Sequence, residues 1–218
     1  MFVGHYAAAF AAKAIEPKTP LWTLAAGCQL IDIGWSSFII SGVEHASADP
    51  SLPGSTLVLY DMPWTHSLPG SLVWSVGAAL LCLLLLRLSM LSSVLVGASV
   101  FSHWLLDLVV HRPDLLLYPG GPKVGFALWN YPVPEQAVEM GLLAVFGAIW
   151  VASRKIQDRT AWPAIAFIAF LVVLQIGAML MPPPAGQIGA SAGAMILAIY
   201  LLVTACAALA DRSDRPAA

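Results

Sequence analysis

AWPAIAFIAFLVVLQIGAMLM, residues 161–181, decides the fold: no side chain in it carries a charge. As a helix rising 1.5 Å per residue it reaches about 30 Å, the thickness of a bilayer's hydrocarbon core. Working outward, 187–209 and 70–86 are also free of charge. Three further apolar runs interrupt themselves sparingly: 21–43 holds Asp32, 90–110 holds His103 and Asp107, and 135–152 holds Glu139. The pattern predicts an all-α, polytopic integral membrane protein of six spans. A shorter apolar stretch, 2–15, precedes them and reads as a partly inserted helix, with Gly4, Ala8 and Ala12 as small residues four apart. The first Lys is Lys13, so no basic segment precedes that stretch as in a signal peptide. The expected organisation is one helical domain, 1–210, and a polar tail, 211–218.

Composition supports the same class. Of 218 residues, 59% are hydrophobic and 10% are charged, against about 45–50% and 25% in ordinary soluble domains. A net charge of −2 without a Lys/Arg cluster argues against a nucleic-acid partner. The three cysteines lie inside apolar runs and match neither a disulfide framework nor a metal spacing. Under six spans, Lys13, Lys18, Arg87, Arg154, Lys155, Arg159, Arg212 and Arg215 fall on one side and only Arg112 and Lys123 on the other. The positive-inside rule then puts both termini in the cytoplasm. Two long connections, 44–69 and 111–134, fall outside, and the first carries Glu44, His45, Asp49, Asp61 and His66. Long loops in a compact protein tend to carry function.

The chemistry concentrates around Ser102-His103-Trp104-Leu105-Leu106-Asp107. Four residues advance a helix by about 400°, so His103 and Asp107 share a face about 40° apart, and His111 extends the stripe. This is a good way to present imidazole and carboxylate to one cation. Asp at a helix centre costs about 2.5–3.5 kcal/mol, so Asp32 and Asp107 need compensation inside the bundle. None of the spans contains Lys or Arg. A divalent metal would supply the charge and use the histidines. By helical rise, Asp32 lies about 16 Å in from Leu21 and His103 about 20 Å in from Met90, so one site is compatible with their depths. His5 is about 12 Å along its helix from Lys13.

Plainer readings stand beside these. His103 and Asp107 form a hydrogen-bonded pair between helices, Asp32 is a protonated acid, His66 is a helix-start residue facing water, His5 frays with its terminus, and His111 is interfacial. Glu139 follows Pro134 in a first turn where acids suit the helix dipole.

Gly4-His5, the acid Asp32, Thr65-His66-Ser67-Leu68 and Ser102-His103 through Asp107 resemble, in order and spacing, the YdjM-like family of bacterial inner-membrane proteins described as metal-dependent hydrolases. The likeness covers roughly residues 4–111. That family is thought to be distantly similar to zinc-dependent phospholipase C and single-strand nucleases. The resemblance implies His5, Asp32, His66, His103 and Asp107 as metal ligands, zinc as the metal, phosphoester cleavage as the reaction and the bacterial inner membrane as the location. Asp61 stands where the family often has a further His, and Ile31-Asp32-Ile33-Gly34-Trp35 lacks an acid and a His of its acid-rich stretch.

The expectation is a metal-dependent hydrolase with its site in the outer half of the bundle. The metal, held by His5, Asp32, His66, His103, Asp107 and His111, would lower the pKa of a water to about 7. Glu44, Asp61 or Glu139 would act as general base. At that depth, lipid or a lipid-linked substrate is the expected partner. The alternative is a proton or divalent-cation transporter, since intramembrane Asp, His and Glu also mark ion paths; a homodimer would offset its small span count. A non-catalytic organiser with a structural metal is a third reading.

Overall fold

A computed structural model describes residues 1–182 and 184–212. The tail is described only at Asp211 and Arg212, where the last helix continues, so most of 211–218 lies outside the described residues.

The chain is mostly helical. A 3₁₀ turn at Val3–His5 leads into α1 (Tyr6–Ile15), followed by α2 (Leu21–Cys28), α3 (Leu30–Ser41), α4 (Leu68–Leu84) and α5 (Met90–Val110). After a second 3₁₀ turn at Leu128–Asn130 come α6 (Pro132–Ile156), α7 (Trp162–Leu180) and α8 (Ala190–Arg212). Local chemistry sets several starts. Ser67 and Ser89 cap α4 and α5 by accepting from the backbone N–H of Gly70 and Ser92. Pro132 opens α6 and Pro163 sits in the first turn of α7, where a missing N–H costs nothing. Gly42, at φ 72°, ends α3 in the left-handed conformation.

By length and apolarity, α5, α6, α7 and α8 can cross a membrane, and α2 with α3 makes a fifth candidate. α4 is apolar but only 17 residues long. The continuous run expected at 21–43 is in fact two helices bent by 57° at Gln29. No Pro causes the bend. Tertiary hydrogen bonds occupy the break: Gln29 Nε2 donates to the Phe2 carbonyl at 3.0 Å, and the Cys28 carbonyl accepts from His103 Nδ1 at 2.8 Å.

α1 lies inside the bundle. Phe10 stacks on Trp150 of α6, and Phe167 of α7 meets both edge-on. These rings, with Tyr6, Leu24, Leu143 and Leu171, form the main core. At the far end of α1, buried Lys13 pairs with Asp211 of α8 at 2.7 Å.

The sequence reading expected no strands, yet two small sheets cap the opposite end. β1 (His45–Ala48) pairs antiparallel with β2 (Leu57–Asp61), with a bulge after His45. β5 (Gly186–Gln187), from the α7–α8 connection, joins the other edge of β1. β3 (Leu115–Leu116) and β4 (Lys123–Val124) form the second sheet. Trp35, Ile39, Ala46, Leu59, Met62 and Leu115 pack beneath as a separate apolar cluster. The sheets thereby fix the two long loops over one end of the helices.

Candidate functional site

Four segments bring their polar residues to one point under the sheets. The turn before α1 supplies His5, the first turn of α3 supplies Asp32, and the residue before the α4 cap supplies His66. α5 supplies His103 and Asp107, and His111 closes its end. All but Asp32 are buried, and its side chain is only 14% exposed.

Asp107 is the hub. Its Oδ1 lies 3.2 Å from His5 Nε2 and 3.6 Å from His111 Nε2; its Oδ2 lies 3.1 Å from His103 Nε2 and 3.8 Å from His66 Nε2. Asp32 Oδ1 is 3.3 Å from His66 Nε2 and 3.5 Å from His103 Nε2. The Met1 amino nitrogen is 3.4 Å from Asp107 Oδ1. The rings of His5 and His103 stack in parallel with centroids 3.8 Å apart.

The tautomers follow from the partners behind each ring. A carbonyl only accepts, so His103 Nδ1 donates to Cys28. Asp114 Oδ1 accepts from His111 Nδ1 at 3.0 Å. Thr65 spends its hydroxyl proton on Glu44 Oε2 at 2.6 Å and therefore accepts from His66 Nδ1 at 2.9 Å. In these three rings Nδ1 carries the proton and the Nε2 lone pair points at the carboxylates. Burial also pushes the His111 imidazole below its ordinary range, which favours the neutral ring.

These residues fit a cation. Both ring nitrogens of His5 and the Nε2 of His103 are buried with no hydrogen-bond partner among the described residues. Ligands on a tetrahedral zinc with bonds of 2.0–2.1 Å stand about 3.3 Å from one another. The observed separations of 3.1 to 3.8 Å bracket that value. Two groups have donor atoms within 4.8 Å of one another: His5, His103 and Asp107, and Asp32, His66 and His103. No family model matches the chain, and no curated protein or solved structure matches it.

The three carboxylates expected to serve as base separate. Glu139 of α6 lines the same cavity, accepts from the backbone N–H of Phe2 and of Gly4 (3.0 Å), and accepts from Gln175 Nε2 at 3.2 Å. Glu44 is buried behind His66 and accepts from the backbone N–H of Trp64 and Thr65 at 2.7 and 3.0 Å. Asp61 is not brought to the group. It pairs across the β1–β2 ladder with His45 at 3.0 Å, and its side chain is 52% exposed. Its five-residue distance from His66 is misleading because the strand points it the other way.

Sequence reasoning missed two polar partners. Tyr200 of α8 donates to Asp32 Oδ2 at 2.6 Å, leaving Oδ1 toward the imidazoles. Gln175 of α7 holds Glu139 and Gln136. Gln175 is an amide in a charge-free run, which was the available signal for it. Glu135, also buried, completes the polar side of the cavity. For a divalent cation held by this cluster, Tyr200→Phe is expected to weaken affinity by about 10–100-fold, as loss of a ligand-orienting partner does. Competition against a chelating dye measures it, and unchanged affinity would remove Tyr200 from the site.

A cavity of about 690 Å³ reaches the cluster, within the range of small-molecule sites. Asp32, His66, Asp107 and His111 form one end of its wall, with no Lys or Arg among the described lining residues. Gly54, at φ 64°, passes against Trp129, where a Cβ would come 2.4 Å from the Trp129 carbonyl oxygen. Trp129 in turn covers His111, with ring centroids 3.8 Å apart.

Proposed function

We propose that the chain is a membrane-embedded, divalent-metal-dependent hydrolase that cleaves a phosphoester in a lipid or lipid-linked substrate. One observation carries the metal: six buried or nearly buried ligand-type side chains converge at ligand-to-ligand spacing, and His66, His103 and His111 turn their Nε2 lone pairs inward. Asp107, with one oxygen toward His5 and His111 and the other toward His66 and His103, would hold the cation together with Asp32 and these imidazoles. Zinc suits this donor set of imidazole and carboxylate.

A divalent cation bound there supplies Lewis acidity and lowers the pKa of a water to about 7. The chain's own residues do the rest. Cys28, Thr65 and Asp114 hold the histidine tautomers, and Tyr200 orients Asp32. Glu139 is the base of choice, since of the three candidate carboxylates it alone lines the cavity. Glu44 acts through Thr65 on His66. Phosphoester chemistry rests on the resemblance to YdjM-like hydrolases. The topology proposed with it has six spans, α2 with α3 as the first and α4 as the second. Both ends are cytoplasmic, in a bacterial inner membrane, with the sheets and the site toward the outer face.

Metal analysis of the purified protein tests the proposal. Stoichiometric zinc and a hydrolysis that a chelator removes and zinc restores are the expected results. A metal-free protein whose hydrolysis ignores chelators overturns it. One observation favours ion transport instead: α2 and α3 break beside Asp32, and broken helices line ion sites in transporters.

A further inference from the structure

The cavity is chemically graded. At one end stand the carboxylates and imidazoles; at the other the wall comes from the end of α7 and the first turns of α8. Ala178, Met179 and Met181 line the cavity together with Met195, Ile196 and Ile199. The polar groups that α7 and α8 add to the wall, Gln175 and Tyr200, are both committed to the polar end, to Glu139 and to Asp32. The apolar end also reaches the molecular surface: Met179, Met181 and Met195 are 59%, 56% and 49% exposed. That rim belongs to the two most apolar spans, with mean hydropathies of 2.4 and 2.3. In the proposed topology it lies at the outer ends of these two spans and opens toward the bilayer, and unbranched methionine adapts to a flexible guest.

We propose that the space between the end of α7 and the start of α8 is a binding site for one hydrocarbon chain of an amphiphile. The chain slips in sideways from the bilayer while the polar head lies at the Asp107 cluster. Continuity of a single cavity from the cluster to the lipid-facing rim selects this occupant, because an apolar limb joined to a charged apex matches a molecule with the same two ends. The inference rests on the hydrolase reading and adds the form of the substrate and its route. β5 fixes the α7–α8 connection to β1, with Ile188 N–H donating to Ala46 and Tyr60 Oη to Gln187, so the rim keeps its place.

The test uses a dodecyl phosphate with a diazirine at the chain terminus, added to the full-length, zinc-supplemented protein in phosphatidylcholine vesicles. Zinc content is measured on the same sample. Photolabelling is expected to saturate, to map to residues of α7 and α8 at the rim, and to be displaced by unlabelled dodecyl phosphate but not by inorganic phosphate. Each methylene in apolar contact contributes about fourfold in affinity. Met179→Trp with Met195→Trp fills the limb and should reduce labelling by about tenfold or more, the equivalent of two methylenes, with zinc content retained as the sign of an intact fold. The single variant Met179→Trp provides a milder block if the double variant does not fold. Labels scattered over all lipid-facing helices, or equal labelling of both filled variants, would overturn the chain site while leaving the hydrolase reading in place. A protein that takes up no zinc overturns that reading, and the chain site with it.

Discussion

Asp107→Asn is expected to weaken zinc binding by more than about 100-fold and to abolish hydrolysis. The side chain is the one contact common to His5, His66, His103 and His111, at 3.1 to 3.8 Å. Loss of a residue that merely orients a ligand costs about 10–100-fold in affinity; loss of the shared anionic ligand should exceed that. Asn keeps the shape, so the bundle should still assemble, although the Met1 amino group loses its charged partner. The fold of the variant is checked by circular dichroism and its metal by calorimetry. Wild-type affinity in the variant would refute the central site. Reconstituted in liposomes, the same variant separates the two functions: a transporter loses net ion flux, whereas a hydrolase has no flux to lose and needs no gradient in detergent.

Glu44→Gln should produce the second large effect, at a residue that does not line the cavity. The carboxylate now accepts from two backbone N–H groups and from the Thr65 hydroxyl. A glutamine can keep its carbonyl oxygen on the backbone donors but presents an NH₂ group to Thr65. The hydroxyl must then accept, and its proton turns to His66 Nδ1. That drives the imidazole proton onto Nε2, where it blocks the lone pair aimed at Asp32 and Asp107. Zinc affinity should fall by about 10–100-fold with little loss of stability. Glu44→Ala differs: three donors lose their acceptor, for a destabilisation of about 3 kcal/mol or more. The ¹⁵N shifts of His66 report the tautomer directly. A ring that stays protonated at Nδ1 in Glu44→Gln would show that Glu44 does not set it.

The two ends of the problem were unequally legible. α5 begins and ends at Met90 and Val110, as the apolar run does, because its caps and composition are local. His103, Asp107 and His111 were readable for the same reason: helical spacing alone puts them on one stripe. Asp32 was flagged by its cost in an apolar run. The bend at Gln29 was not readable, since its partners, Phe2 and His103, are remote in sequence. The strand His45–Ala48 was hidden for a related reason, as a four-residue segment among turns means little until Leu57–Asp61 pairs with it. That pairing also explains the misplaced Asp61. Tyr200 escaped because a tyrosine in an apolar run reads as ordinary span composition, and only the fold sets it 2.6 Å from an acid 168 residues earlier.

The long reach from Asp32 to Tyr200 has a consequence for biosynthesis. An acid made with the first helices gains its hydroxyl partner only after α8 emerges from the ribosome. Until then the nascent chain carries an incompletely satisfied carboxylate, so the early helices gain by remaining loosely associated near the insertion machinery. Packing of α8 against α3 thus completes the polar surroundings of Asp32, which His66 and His103 from earlier segments begin.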